Sequence, residues 1–198
     1  MHAQSGFRQK EIIKAALDCF TEMGFNETTM ADICLRSKAS NGSVYHHFKS
    51  KEQLASAVYL EGIREYQTGL LGDLDKEHYA TRGITAMIRY HLNWVARNPE
   101  WSRFLFQRRH ESFLAVTEEA INALNKDFAR RIENWFARHI KAGSIRKIPL
   151  DIMIAVILGP CQEYARLYLS GKAHTRMDEA VREISRAAWA ALARKRNI

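Results

Sequence analysis

Apolar residues recur at helical spacing along nearly the whole chain, and breakers are scarce: three prolines and ten glycines in 198 residues. Ile12, Ile13, Ala16, Leu17 and Phe20 fall on one helical face. No segment alternates apolar and polar residues as a half-buried strand would. The chain is therefore expected to be all-α, with about nine helices. The expected order is one ending at Gly24, a short one from Thr28 or Thr29, and a third from Ser40 to near Phe48. A fourth opens at the Ser50-x-x-Gln53 capping box and runs through Tyr66 and Leu70. Longer helices follow at about 79–97, 99–112, 113–142, 150–171 and 176–195, divided by Pro99, Gly143 to Pro149 and Gly171 to Thr175. This pattern places a compact three-helix head at 1–50 and a larger helical body at 51–198, with 51–73 as the connecting helix.

Charge and cysteine usage bound the function. The net charge of +8 suits a polyanionic partner. Residues 1–52 nevertheless hold seven basic side chains against six acidic ones, so the total does not locate a nucleic-acid site. Most of the excess lies in Arg103–Lys147 and the Arg194-Lys195-Arg196 tail. Cys19, Cys34 and Cys161 stand in apolar surroundings, which points to buried reduced thiols and a cytoplasmic chain. The longest apolar run, Ile152 to Cys161, is too short to span a membrane, and no membrane partner is expected.

The adjacent pair His46-His47 raises the question of a metal. Neighbouring helical side chains diverge by about 100°, and four residues to either side stand Gly42, Ser43, Ser50 and Lys51, none of them a metal-binding His or Cys. We expect no metal and no cofactor. Paired carboxylates with an i+3 histidine, a nucleophile elbow and a phosphate loop do not appear either, so no enzyme is expected.

Short helices separated by three or four residues suit a helix-turn-helix, whose second member presents its N-terminal residues to the major groove. That member begins at Ser40-Asn41-Gly42-Ser43. Asn41 can bond an adenine edge, Ser40 and Ser43 can reach a base or a phosphate, and Gly42 permits close approach. Val44 and Phe48 anchor the helix inward, leaving Tyr45, His46 and Lys51 free for phosphates. The amides near Thr29 add another anion site.

The stretch "GFNETTMADICLRSKASNGSVYHHFKSKEQL" resembles the DNA-binding head of TetR-family (tetracycline-repressor-like) transcription regulators. The likeness rests on a glycine-aromatic stop, a Thr-Thr start and Ile33-Cys34 in the second helix. It continues through Ser-x-Gly-Ser-hydrophobic-Tyr-x-His-Phe and Ser-Lys-Glu-x-Leu, and covers about the first 55 residues. By position it implies phosphate and base contacts at Thr29, Ser40, Asn41, Ser43, Tyr45, His46, His47 and Lys51. Lys38 stands where the family has its turn glycine, after Ser37; a left-handed non-glycine there costs about 1 kcal/mol, and its ammonium offers a further phosphate contact.

The resemblance also implies a homodimer on a palindromic operator of double-stranded DNA, and a small-molecule effector bound in the body. The run "DIMIAVILGPCQEYARLYLSG" and the alanine-rich final helix around Trp189 are the expected dimer seam, with a kink at Gly159-Pro160. His91, Trp94, Phe104, Arg108, Phe128, Cys161 and Tyr164 are the candidate pocket residues for an apolar or aromatic ligand, with Arg108 to His110 a possible anion partner. The expected function is a ligand-responsive repressor; an activator of the same family and a ligand-independent, nucleoid-type DNA-binding protein are the alternatives.

Overall fold

The computed structural model describes residues 2–108 and 118–194, and the side chains of 6–105 and 118–194. It contains nine helices among the described residues and no strand. They are α1 (His2–Glu22), α2 (Met30–Ser37), α3 (Asn41–His47), α4 (Lys51–Leu74), α5 (Ala80–Arg97), α6 (Pro99–Arg108), α7 (Glu118–Lys141), α8 (Leu150–Leu169) and α9 (Met177–Leu192). The all-α expectation holds. The expected meeting of two helices near 112–113 lies outside the described residues. Among them, no helix is long and apolar enough to cross a membrane.

Two compact units divide the chain: Met1–Glu65 with Pro99–Ala123, and Tyr66–Asn98 with Leu124–Ile198. The expected head at 1–50 lies wholly within the first unit. That unit also takes in α6, which lies on α1, with Phe104 stacked on Phe20 at 5.8 Å between ring centroids. Gly62 of α4 also belongs there; its missing Cβ leaves room for the Trp101 ring of α6.

The head of the first unit forms for local reasons. Ile12, Ala16, Leu17 and Phe20 of α1 are buried. The helix ends before Gly24, whose φ of +89° needs no Cβ. Phe25 folds back onto Phe20 at 5.4 Å, and the buried Thr28 hydroxyl donates to the Gly24 and Cys19 carbonyls. Thr29 opens α2 with a capping box: its hydroxyl accepts from the Asp32 amide, and Asp32 accepts from the Thr29 amide. Both the Thr29 hydroxyl and its amide hold the Asp32 carboxyl below the ordinary carboxylate range. Ile33 and Cys34 are buried as expected, and Met30 is half-buried.

The second unit has its own core. Leu70 and Leu74 of α4, Ile84, Ile88 and Leu92 of α5, Trp135 and Phe136 of α7, Met153, Ile157 and Cys161 of α8, and Leu192 of α9 are all buried together. Two helical glycines are indentations: a Cβ at Gly69 would collide with the Tyr90 hydroxyl, and one at Gly83 with the Trp135 indole. α8 continues through Pro160. α9 stops at Leu192, short of the expected 195, because Ala193 pairs with Ile145 in an isolated antiparallel bridge. All three cysteines are buried with free thiols.

Candidate nucleic-acid interface

α3 is held by its apolar side and displays the other. Val44 and Phe48 are 0% and 3% exposed, while Asn41, Gly42, Tyr45 and His46 are exposed and Ser43 and His47 half-buried. Ser40 is the N-cap, its hydroxyl accepting from the Ser43 amide at 3.2 Å. The Asn41 side chain stands at the helix start, where a hydrogen-bonding group can meet a base edge. His46 and His47 rings lie edge-on at 5.2 Å and 76°, pointing in different directions.

The turn before α3 is built around Lys38. Its φ of 52° and ψ of 31° are left-handed, the sole positive φ of a non-glycine among the described residues. The Ala39 amide donates to the Cys34 carbonyl and the Lys38 amide to that of Leu35, the paired bonds of a Schellman stop. Arg8 of α1 donates to the Lys38 carbonyl at 3.1 Å, a tie that nothing in the residue pattern announces. The Lys38 side chain is exposed.

Lys51 differs from expectation. Its ammonium is not free: it donates to the carbonyls of Phe25, Asn26 and Thr28 at 2.7, 3.0 and 2.8 Å. All three N–H directions of the cation are thereby used inside the head. Lys49 takes an outward position and donates to the Tyr45 carbonyl at 2.9 Å. The expected capping box at Ser50 also forms only by half. The Ser50 hydroxyl accepts from the Gln53 amide, but the Gln53 side chain reaches back one residue further, to the Lys49 amide.

The expected pocket residues do not form one set. Phe104 belongs to the first unit, stacked on Phe20, and the side chain of Arg108 lies outside the described residues, as does His110. In the second unit His91, Trp94 and Cys161 are buried. They gather at Tyr66, whose hydroxyl is hydrogen-bonded to His91 Nδ1 at 2.8 Å. The Tyr66 ring stands edge-on to His91 at 5.7 Å and to Trp94 at 5.3 Å. Burial pushes the His91 pKa down to about 4 and the Cys161 thiol up to about 12, and raises that of the Tyr66 phenol, so all three are neutral at physiological pH. Trp94 Nε1 has no hydrogen-bond partner among the described residues. Phe128 packs on the rim of this core. Tyr164 is half-buried and donates to the Thr175 carbonyl at 2.7 Å. In the sequence Tyr66 reads only as an inward residue of its helix; its partner His91 is 25 residues away.

The head matches the family model described as "Bacterial regulatory proteins, tetR family" over residues 12–58, the span that carries the capped α2, the Lys38 turn and α3. The chain belongs to the TetR family. It is a DNA-binding transcriptional regulator of that family. Among the relatives of this chain, a fatty acid metabolism regulator protein of Bacillus subtilis is 21% identical over 77% of this chain and 79% of its own length. The transcriptional repressor KstR2 of Mycolicibacterium smegmatis is 36% identical over 35% of this chain and 32% of its own. A TetR-family transcription regulator from Marinobacter aquaeolei has the same fold, with a TM-score of 0.84 at 18% identity over 98% of this chain and all of the other. FadR of Bacillus subtilis in complex with stearoyl-CoA gives 0.78 at 16% identity, covering 91% and 97%.

Proposed function

We propose that this TetR-family chain is a homodimeric repressor, seated on a palindromic operator and released by an apolar effector. The observation that carries the reading is the two-sidedness of α3: Val44 and Phe48 fix the helix, and Asn41, Gly42, Tyr45 and His46 face outward beside the Ser40 cap. Asn41 and Ser43 read base edges; Ser40, Tyr45, His46, His47 and the first amides of α2 after Thr29, whose own amide is taken by Asp32, meet phosphates, with the Lys38 ammonium beside them. Lys51 fastens the loop before α2 through the Phe25, Asn26 and Thr28 carbonyls.

Operator symmetry requires two heads, and the dimer reading is supported by the second unit. Ile152, Ala155 and Gly159 are exposed along one face of α8, and Ala187 and Ala190 along α9. An outward face of small and apolar residues permits close approach of two further helices. The effector reading is supported by the neutral cluster at Tyr66, His91, Trp94 and Cys161 within an apolar core. It is also supported by the relatives, one a fatty acid metabolism regulator and one crystallised with stearoyl-CoA. The fatty-acyl class is therefore the first effector to try. Such a ligand must prefer the conformation that does not fit DNA, and it acts through α4, the helix that leads out of the head.

Fluorescence anisotropy of an operator duplex with the full-length protein tests this reading. Saturable, salt-sensitive binding of two chains per site, reversed by a long-chain acyl-CoA, is the expected result. Binding of a single chain, or binding to every duplex alike, would overturn it.

A further inference from the structure

The groove between α5 and α9 of the second unit has a chemistry that neither the α3 edge nor the Tyr66 cluster uses. Its volume is about 1070 Å³, just above the roughly 300–1,000 Å³ of ordinary small-molecule sites. Arg89 of α5 and Arg176, Arg182 and Arg186 at α9 line it, against one lining carboxylate, Asp178. That carboxylate is already engaged, since Arg176 donates to both its oxygens at 3.2 and 3.0 Å. Arg182 and Arg186 turn outward to Glu179 and Glu183 through solvent-exposed pairs, the weakest and most readily exchanged kind. Arg89 makes no ion pair among the described residues.

A second and independent observation comes from Ser185. It is 8% exposed, lines the same groove, and its hydroxyl has no hydrogen-bond partner among the described residues. A buried hydroxyl left unpaired is unfavourable, so its presence on this wall asks for a polar atom from a ligand. Met177 and Val181 add an apolar lining, and Thr85 and Asn93 stand on the α5 side. A smaller groove of about 380 Å³ shares Thr85 and Arg89 and adds Arg82. By helical spacing Ala187 and Ala190 point to the other side of α9 from Ser185, so the groove face and the small-residue face are distinct.

We propose that this groove binds a multiply charged organic anion of nucleotide size, a phosphate ester or a polycarboxylate. Arg89, Arg182 and Arg186 hold its charge, and the Ser185 hydroxyl donates to one of its oxygens. Guanidinium forks match both oxyanion types bidentately, and the apolar lining takes the carbon skeleton.

Isothermal titration of the full-length protein with ADP, citrate and uncharged adenosine tests it. The expected result is saturable 1:1 binding of ADP or citrate, weakened by added salt, and none of adenosine; which anion binds tells phosphate ester from carboxylate. The double change Arg89→Gln with Arg182→Gln should weaken binding about tenfold or more. Ser185→Ala, which preserves the shape of the groove, should weaken it roughly three- to tenfold. Thermal melting of each variant confirms that it is folded. Failure of both anions to bind at millimolar concentration, or undiminished binding by the folded double variant, would overturn the proposal. Operator binding, measured in parallel, rests on other residues and is unaffected by either outcome.

Discussion

The Lys51 ammonium donates to the Phe25 carbonyl at 2.7 Å and lies 4.7 Å from the centre of the same residue's ring. One cation at the first residue of α4 thus fastens the loop that turns α1 into α2, through three carbonyls and an aromatic face. Lys51→Met should lower the stability of the folded chain by about 1–3 kcal/mol, since hydrogen bonds to a charged donor are lost and carbonyls are left short of a partner. Thermal unfolding measures this. If Lys51 acts only as this clamp, the salt slope of DNA binding stays as in the wild type. A slope flatter by about one unit would instead assign Lys51 a phosphate.

Lys38 sits in the left-handed region at φ 52° without a glycine's freedom. Lys38→Gly should therefore raise stability by about 0.5–1 kcal/mol, and Lys38→Val should lower it by more than that. Chemical denaturation of the two variants checks the sign. If glycine destabilises, the left-handed strain at Lys38 is smaller than the backbone entropy that glycine adds to the unfolded chain.

His91 makes stability depend on pH. Its folded pKa of about 4 lies below the value of about 6.5 expected when unfolded, and desolvation is the cause. Below pH 6.5 the unfolded chain takes up a proton that the folded chain refuses, so stability is fullest above 6.5 and falls as pH drops toward 4. The full loss amounts to about 3 kcal/mol. His91→Gln should flatten the melting temperature between pH 6.5 and 4. An unchanged pH profile would show that other groups dominate there; His139, lowered chiefly by desolvation, has the same sign.

Gly83 and Gly69 illustrate what the residue pattern conceals. A glycine in a helix reads as a weak position, yet each is where a neighbouring aromatic enters. Gly83→Ala should destabilise by about 1–3 kcal/mol through overpacking against Trp135. An alanine tolerated without loss would mean that Trp135 can move aside.

Much of the fold is legible in the residues because its signals are local. The Gly24 stop, the Thr29–Asp32 box, the Ser40 cap and the Val44–Phe48 anchors are each decided within five residues, and each is found in place. The α3 edge is legible for the same reason. What escapes depends on partners far apart in the chain. Lys51 reads as a surface cation until Phe25 and Thr28 come beneath it, 26 and 23 residues upstream. Phe104 reads as one more body aromatic until it stacks on Phe20. The α5–α9 groove needs Arg89 and Ser185 brought together from separate helices.

The central claim is that the outward edge of α3 reads DNA sequence. Selection from a random duplex library by the full-length protein, repeated with Asn41→Ala, tests it most directly. The account predicts inverted half-sites centred about 10–10.5 base pairs apart or a multiple of that, for two recognition helices one turn apart. It predicts binding that weakens steeply with salt, and a changed base preference at one position of each half-site for Asn41→Ala. Tyr45→Phe should weaken all recovered sites alike. Recovery of no common sequence by the wild type, or of an identical sequence by Asn41→Ala, would contradict the assignment.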